Sequence, residues 1–359
     1  MRAFLAITLL TFGLALRAAL RPRRERLDLP DKVALAKAEA IVQAQDTTGA
    51  CLALNGDKHL LFDASEHAFI MFGQRGRSWV ALFDPIGPAS AWPDLIWSFM
   101  ERARESNGRA SFYQVRPQSL PLYLDTGLRV FKLGEEAIVP LAEFSLQGGQ
   151  RAKLRQSVNR AERDGLGFEL LGRAAVPEVL AELRAISDIW LREHNTAEKR
   201  FSLGAFNTDY LQHYPVAVIR RQGKIIAFAN VLCTAQNAEV SVDLMRHVSE
   251  PPPGTMDLLF AKLMLRYREL GYQRFCLGMA PLSGMVDHPL APRWHRVGRL
   301  LFAHGEHFYN FRGLRAFKEK FAPEWEARYL AAPGGTAPLL VLVDVAVLIS
   351  GGIRGVFAK

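Results

Sequence analysis

Residues 238–282 decide the fold: AEVSVDLMRH (238–247), TMDLLFAKLMLRYREL (255–270) and QRFCLGMAPL (273–282) follow one another. The first segment alternates apolar and polar residues, as a strand with one covered face does. The second has the apolar spacing of a helix, and Thr255 stands where a hydroxyl can cap it. The third is a short apolar run, which reads as a buried strand. Upstream, residues 177–192 form a helix and VAVIRRQGKIIAFANVLC (216–233) a hairpin turning at Gln222-Gly223. Downstream come a short helix, RGLRAFKEKF (312–321), and a final strand, WEARYLAAP (325–333).

The first part of the chain has a similar order. A helix over 28–46 can be capped by Asp31 and repeats Val33, Ala36, Ala40 and Val42 at helical spacing. Segments of strand character follow: CLALN (51–55), HLLFD (59–63), AFIMFG (68–73) and SWVALFDPIGP (78–88). WPDLIWSFMERARES (92–106) is an amphipathic helix, SFYQVR (111–116) a strand, and PLYLDTGLRVFKLGEEAIVPL (121–141) a short helix, a turn and two strands. The fold class is therefore α/β with mixed sheets, arranged as two successive units. Between them GQRAKLRQSVNRAERDG (149–165) carries Arg151, Lys153, Arg155, Arg160 and Arg163, and Gly165 can stop it. It reads either as a solvated connector or as a track for phosphates.

The formal charge of +9 favours polyanionic partners, nucleic acid or anionic lipid. Three separated cysteines allow no disulfide framework and no zinc motif, which suits a reducing compartment. No metal site, nucleophilic serine elbow or Gly-rich dinucleotide loop is legible. AFLAITLLTFGLAL (3–16) is uninterrupted by charge and is followed by Arg17, Arg21, Arg23, Arg24 and Arg26. A single N-terminal membrane anchor is expected over residues 1–26, if Arg17 snorkels, with the remainder on the cytoplasmic face of the inner membrane. The tail APLLVLVDVAVLIS (337–350) is apolar but too short to span; it can pack on the domain or lie on a bilayer.

Chemistry-bearing residues gather in two places. Asp243 and Arg246 interrupt an apolar strand, where a lone carboxylate is costly unless paired. His304, Glu306, His307, Tyr309 and Asn310 form a polar and aromatic run leading into Arg315, Lys318 and Lys320. Two lysines two apart diverge on a helix and share a face only in an extended segment. Transfer from an ester donor needs an alcohol at the carbonyl, a proton acceptor and a cation near the oxyanion. Lys318 or Lys320 can supply the cation. Glu306, Asp243 or the donor's ribose hydroxyl can take the proton.

FSLGAFNTDYL (201–211), VDLMRH (242–247), GTMDLLFAKLMLRYRELGY (254–272), LGMAPLSG (277–284), HGEHFYNFRGLRAFKEKFAPEWEARYL (304–330) and LVDVAVLISGG (342–352) resemble the catalytic domain of the multiple peptide resistance factors, the aminoacyl-phosphatidylglycerol synthases. The likeness reaches back through DPIGP (84–88) and covers nearly everything after residue 30. It implies two tandem GNAT-like domains, 28–148 and 166–335, joined by the basic helix 149–165 and followed by an apolar tail, 336–359. It implies transfer of an aminoacyl group from aminoacyl-tRNA to a phosphatidylglycerol hydroxyl, which lowers membrane negative charge and confers resistance to cationic peptides. The partners implied are aminoacyl-tRNA and anionic membrane; no DNA is expected.

Carried residue by residue, the resemblance makes Lys318, Lys320, Asp243 and Glu306 the catalytic candidates. Arg246, Glu193, His307, Tyr309 and Arg328 are substrate-binding candidates; Arg151, Lys153, Arg155 and Arg160 are candidates for tRNA. Lys318 or Lys320 is assigned to the carbonyl oxygen and lipid phosphate, and Asp243 or Glu306 to the aminoacyl amine. PPPGTMDLL (251–259) holds one glycine where an acetyl-CoA enzyme carries a pyrophosphate loop, so no acetyl-CoA and no other cofactor is expected. One departure is that at most one span precedes a domain that in the family usually follows many. Glu193 and Glu198 are possible acidic partners for a cationic aminoacyl group. Two rival functions share these residues or the charge: an aminoacyl-lipid hydrolase or a tRNA-dependent aminoacyltransferase with another acceptor, and a non-catalytic module that docks on anionic membrane or RNA.

Overall fold

The computed structural model describes residues 27–194, 197–286, 288, 294 and 311–352. The apolar run 3–16, with its basic flank, lies outside these residues, as do Glu306, His307 and Tyr309. Eleven described strands form one mixed sheet in the order β1-β2-β3-β4-β11-β5-β10-β9-β8-β7-β6.

The first half begins with α1 (Lys32–Gln43), whose start is fixed by Asp31 accepting the Ala34 N–H at 2.8 Å. Residues 51–55, expected as strand, lie instead in a 3-10 segment, Thr48–Asn55. Seven of its eight residues are buried, so tertiary packing overrides the strand-like composition. Strands β1 (His59–Phe62), β2 (Phe69–Arg75) and β3 (Ser78–Leu82) are antiparallel neighbours. Helix α2 (Trp92–Glu105) crosses over to β4 (Arg109–Val115), parallel to β3. The short α3 (Leu120–Asp125) leads to β5 (Arg129–Pro140).

Residues 129–140 form one long strand rather than the two expected. Gly134 does not break it. A side chain there would overlap the Ala280 carbonyl of the neighbouring strand, so the glycine marks a close backbone approach.

Helix α4 (Ala152–Arg163) buries Leu154, Val158 and Ala161 at positions one and two turns apart, a narrow apolar stripe. Gly165, with φ +82°, ends it. Then come β6 (Leu166–Leu171), α5 (Val176–Glu193), α6 (Thr208–Gln212), β7 (Val216–Arg221), β8 (Lys224–Cys233) and β9 (Glu239–His247). Helix α7 (Thr255–Glu269) crosses to β10 (Arg274–Pro281), parallel to β9. Gly254, in the left-handed region, occupies the cap of α7; Thr255 is its first helical residue and donates its hydroxyl to the Pro252 carbonyl. Glycine wins the cap position because the chain must enter with φ +86°.

Helix α8 (Phe311–Glu319), β11 (Glu324–Ala332) and α9 (Ala337–Ile349) complete the described chain. Each half contributes a parallel pair joined by a crossover helix, β3 with β4 and β9 with β10. At the centre the halves interleave: β11 inserts between β4 and β5, and β5 lies between β11 and β10. Alternate residues of β2 feed opposite cores, Phe69 and Met71 on one face, Ile70 and Phe72 on the other. Among the described residues, no helix is long and apolar enough to cross a membrane.

Candidate functional site

Strands β9 and β10 pair only from Glu239 to Ser241 against Arg274 to Cys276. Beyond that point β9 stays with β8 and β10 stays with β5, so the two parallel strands part. The parting is helped by a bulge on each side. On β9, Asp243 and Leu244 together face Asn230, whose side-chain oxygen accepts the Leu244 N–H at 2.7 Å. On β10 the register shifts between Cys276 and Met279, and Gly278 takes φ +78°.

Asp243 stands on the free part of β9. Its carboxylate accepts the Gly204 N–H at 2.8 Å and the Tyr210 hydroxyl at 3.0 Å. A Cβ on Gly204 would overlap that carboxylate, so only glycine admits it. Asp57 accepts the Phe201 N–H at 3.0 Å and pairs with the fully buried Lys58. Two carboxylates thus hold the segment 201–204, where Phe201 adopts φ +62°. Arg246 pairs with Glu198 at 3.2 Å and lies 4.2 Å over the Trp190 ring, while its Nε has no partner among the described residues.

Enclosure sets the charges of this cluster. Burial pushes the Asp243 pKa up, against the opposing pull of the Gly204 N–H, the Tyr210 hydroxyl, Lys58 and Arg246. Burial pulls Lys58 down, and Asp57 and Asp243 partly restore it. Arg246 is lowered by burial and supported by Glu198 and Asp243. Asp57, Asp243 and Glu198 face Lys58 and Arg246, three carboxylates against two cations. Such an arrangement favours a further cation.

On the other side of the gap, the buried Lys318 of α8 donates to the Gly278 and Met279 carbonyls, both at 2.8 Å. Burial lowers its pKa to about 8, with Cys276 and Glu136 opposing. An ammonium has three N–H groups, so one remains beyond these two bonds. Arg328 on β11 is buried against Glu136 and Glu326. Burial alone would lower its pKa; the two carboxylates outweigh it and raise it.

Lys320 points elsewhere. Half exposed, it binds Asp257 at 2.9 Å, and Ser157 of the basic helix donates to the same carboxylate at 2.7 Å. It therefore clasps α8, α7 and α4 together. Glu193 is exposed at the end of α5 and accepts from the Ser249 hydroxyl; it makes no bond to the Asp243 cluster among the described residues.

The basic helix divides its charges. Arg151 donates to the Ser145 carbonyl at 2.8 Å and stacks 4.5 Å over Phe144; burial lowers its pKa. Arg155 donates to the Leu146 and Gly148 carbonyls. Lys153 and Arg160 are exposed, the latter 3.7 Å from Asp164.

Sequence reasoning missed Lys58, Asp57, Tyr210, Trp190 and Glu136. Asp57-Lys58 sits in Gly-Asp-Lys ahead of a short strand and reads as a polar turn. The one available signal was FSLG, whose glycine makes sense only beside a carboxylate.

The sequence model of the family "Phosphatidylglycerol lysyltransferase, C-terminal" matches residues 39–332. The phosphatidylglycerol lysyltransferase of Bacillus subtilis (strain 168) is 41% identical over 278 residues, 77% of this chain and 32% of that protein. The enzyme of the same name from Staphylococcus aureus (strain MRSA252) is 36% identical over 280 residues, 78% of this chain and 33% of that protein. The chain therefore spans about a third of the length of these curated relatives. Among solved structures, the C-terminal domain of a putative lysylphosphatidylglycerol synthetase from Agrobacterium fabrum superposes with TM-score 0.81 at 51% identity, covering 89% of this chain and 98% of that one. L-PGS from Bacillus licheniformis gives 0.78 at 38%, covering 90% and 99%. FemX shares the fold alone, with TM-score 0.52 at 10% identity over 88% of this chain and 99% of that one.

Proposed function

The chain belongs to the phosphatidylglycerol lysyltransferase C-terminal family, and from that premise we propose that it transfers an aminoacyl group from aminoacyl-tRNA to a head-group hydroxyl of phosphatidylglycerol. The observation that carries this reading is the enclosed cluster of Asp57, Lys58, Glu198, Asp243 and Arg246, with its excess of one carboxylate beside the gap between β9 and β10. The α-ammonium of an aminoacyl ester supplies the missing charge. A lysyl group adds a second ammonium, and the names of the relatives make it the first donor to test.

The lipid hydroxyl oxygen attacks the ester carbonyl, the bond to the tRNA ribose oxygen breaks, and the hydroxyl proton ends on that ribose oxygen. Asp243 holds the aminoacyl amine, and the remaining N–H of Lys318 meets the carbonyl oxygen as negative charge develops. The Gly204 N–H, the Tyr210 hydroxyl, Lys58 and, least, Arg246 oppose the upward push of burial on Asp243. Lys153 and Arg160, exposed on α4, attract the tRNA backbone. No cofactor takes part in this scheme, and acetyl-CoA is not a donor. Work at a lipid head group places the enzyme at the cytoplasmic membrane surface, where added aminoacyl groups reduce anionic charge and repel cationic peptides.

The test is label transfer from separately charged lysyl-, alanyl- and arginyl-tRNA into phosphatidylglycerol vesicles. Label entering lipid with one donor, and lost in Asp243→Ala and Lys318→Ala, supports the proposal. No lipid labelling with any donor overturns it.

A further inference from the structure

Helix α9 has an apolar outer face with no covering element among the described residues. Leu339, Leu340 and Val343 are 57, 46 and 63% exposed, and Ala346 extends the same side. Ala337, Pro338, Val341 and Val345 are buried beneath. The one charged residue, Asp344, is turned to the sheet, where its carboxylate accepts the Ser78 hydroxyl at 2.6 Å. A helix apolar all round is normally enclosed on every side.

Basic residues rim this face. Arg129 lies against Gly334 just before α9, and Arg200 against Gly351 just after it. Arg75 is paired across its hairpin with Ser78, the residue that holds Asp344. None of these three guanidinium groups pairs with a carboxylate among the described residues. An apolar strip edged by guanidinium groups complements acyl chains bordered by phosphates.

We infer that α9 lies flat on an anionic phospholipid bilayer and that this contact seats the transfer site at the lipid surface. The inference rests on the proposed function, since it supplies the route to the acceptor. At 13 residues α9 is too short to span, so it lies along the interface. Its end is bonded directly to the site: the Arg200 N–H donates to the Ile349 carbonyl at 2.8 Å. Leu348 and Phe201 crowd the same glycine, Gly73. Phe201 is the residue whose N–H Asp57 holds. A bilayer under α9 therefore lies one hydrogen-bonded turn from the segment 201–204 that Asp243 anchors.

The test uses the full chain in a Cys233→Ser background, since Cys51 and Cys276 are buried. A fluorophore is attached at Val343→Cys or, as control, at Leu124→Cys on α3, which packs on the opposite sheet face. Vesicles carry brominated phosphatidylglycerol. Quenching of about twofold or more at 343 and none at 124 is expected. In the double variant Leu339→Glu, Val343→Glu, transfer to vesicle lipid falls about fivefold, while transfer to monomeric short-chain phosphatidylglycerol stays within about twofold. An unquenched label at 343, or equal loss on both lipids, overturns the inference. So does light scattering that finds a dimer which the double variant dissolves, since a second copy then covers the face. Wild-type inactivity on both lipids with quenching intact overturns the functional reading and leaves the docking standing.

Discussion

Asp243 is the residue on which the proposed chemistry turns. It accepts two hydrogen bonds while enclosed, and charge-assisted bonds of this kind are the strong ones. Asp243→Asn keeps the shape and removes the charge, so kcat/KM should fall about 10–100-fold, as initial-rate kinetics will show. Lys58→Met leaves the half-buried Asp57 without its cation; unfolding in urea should reveal a loss of about 3 kcal/mol. Lys318 sets a pH dependence. Its pKa of about 8 lies below the ordinary lysine value, so it is a cation below that pH and loses its charge as pH rises through it. If it stabilises the oxyanion, kcat/KM should decline above about pH 8, and Lys318→Arg should move that limb upward. Asp243 was legible because a charged residue inside an apolar strand demands a partner. Lys58 was not, because a lysine beside a turn looks solvated and its burial comes from elements over a hundred residues away.

Helix α8 shows why an element must be seen in place. Lys318 and Lys320 look equivalent in FKEKF, yet one lies under β10 and the other binds Asp257 of α7. Lys320→Met should cost at most about 1 kcal/mol and leave kcat nearly unchanged, whereas Lys318→Met should abolish most turnover; parallel melting and rate measurements separate the two. The basic helix divides in the same way. Lys153→Glu with Arg160→Glu should weaken tRNA binding and flatten its salt dependence, measured by filter binding across a salt series. Arg151→Ala should instead lower stability, since that guanidinium is tied to the Ser145 carbonyl and the Phe144 ring. The existence of α4 and its end at Gly165 were readable from pattern. Its inward commitments were not, because the carbonyls of 144–148 that receive them have no sequence signature.

Across the whole molecule, the order of segments was readable but the interleaving was not. Tyr329 of β11 pairs with Val115 of β4, more than two hundred residues away, and no local pattern encodes such a register. The same pairing ties the halves into one sheet. The likeness of FSLG, VDLMRH and FKEKF to a known family reached further than periodicity could, because those motifs carry the polar residues of the candidate site beside core side chains such as Phe201, Leu244 and Phe321. The central claim is that this site moves an aminoacyl group onto a lipid hydroxyl, and one measurement tests it most directly. Purified protein is mixed with phosphatidylglycerol vesicles and tRNA charged with labelled lysine, beside Asp243→Asn and Lys318→Ala. Label in the lipid fraction that both substitutions remove is the predicted result. Lipid that stays unlabelled with every donor, while tRNA and vesicles still bind, would contradict it.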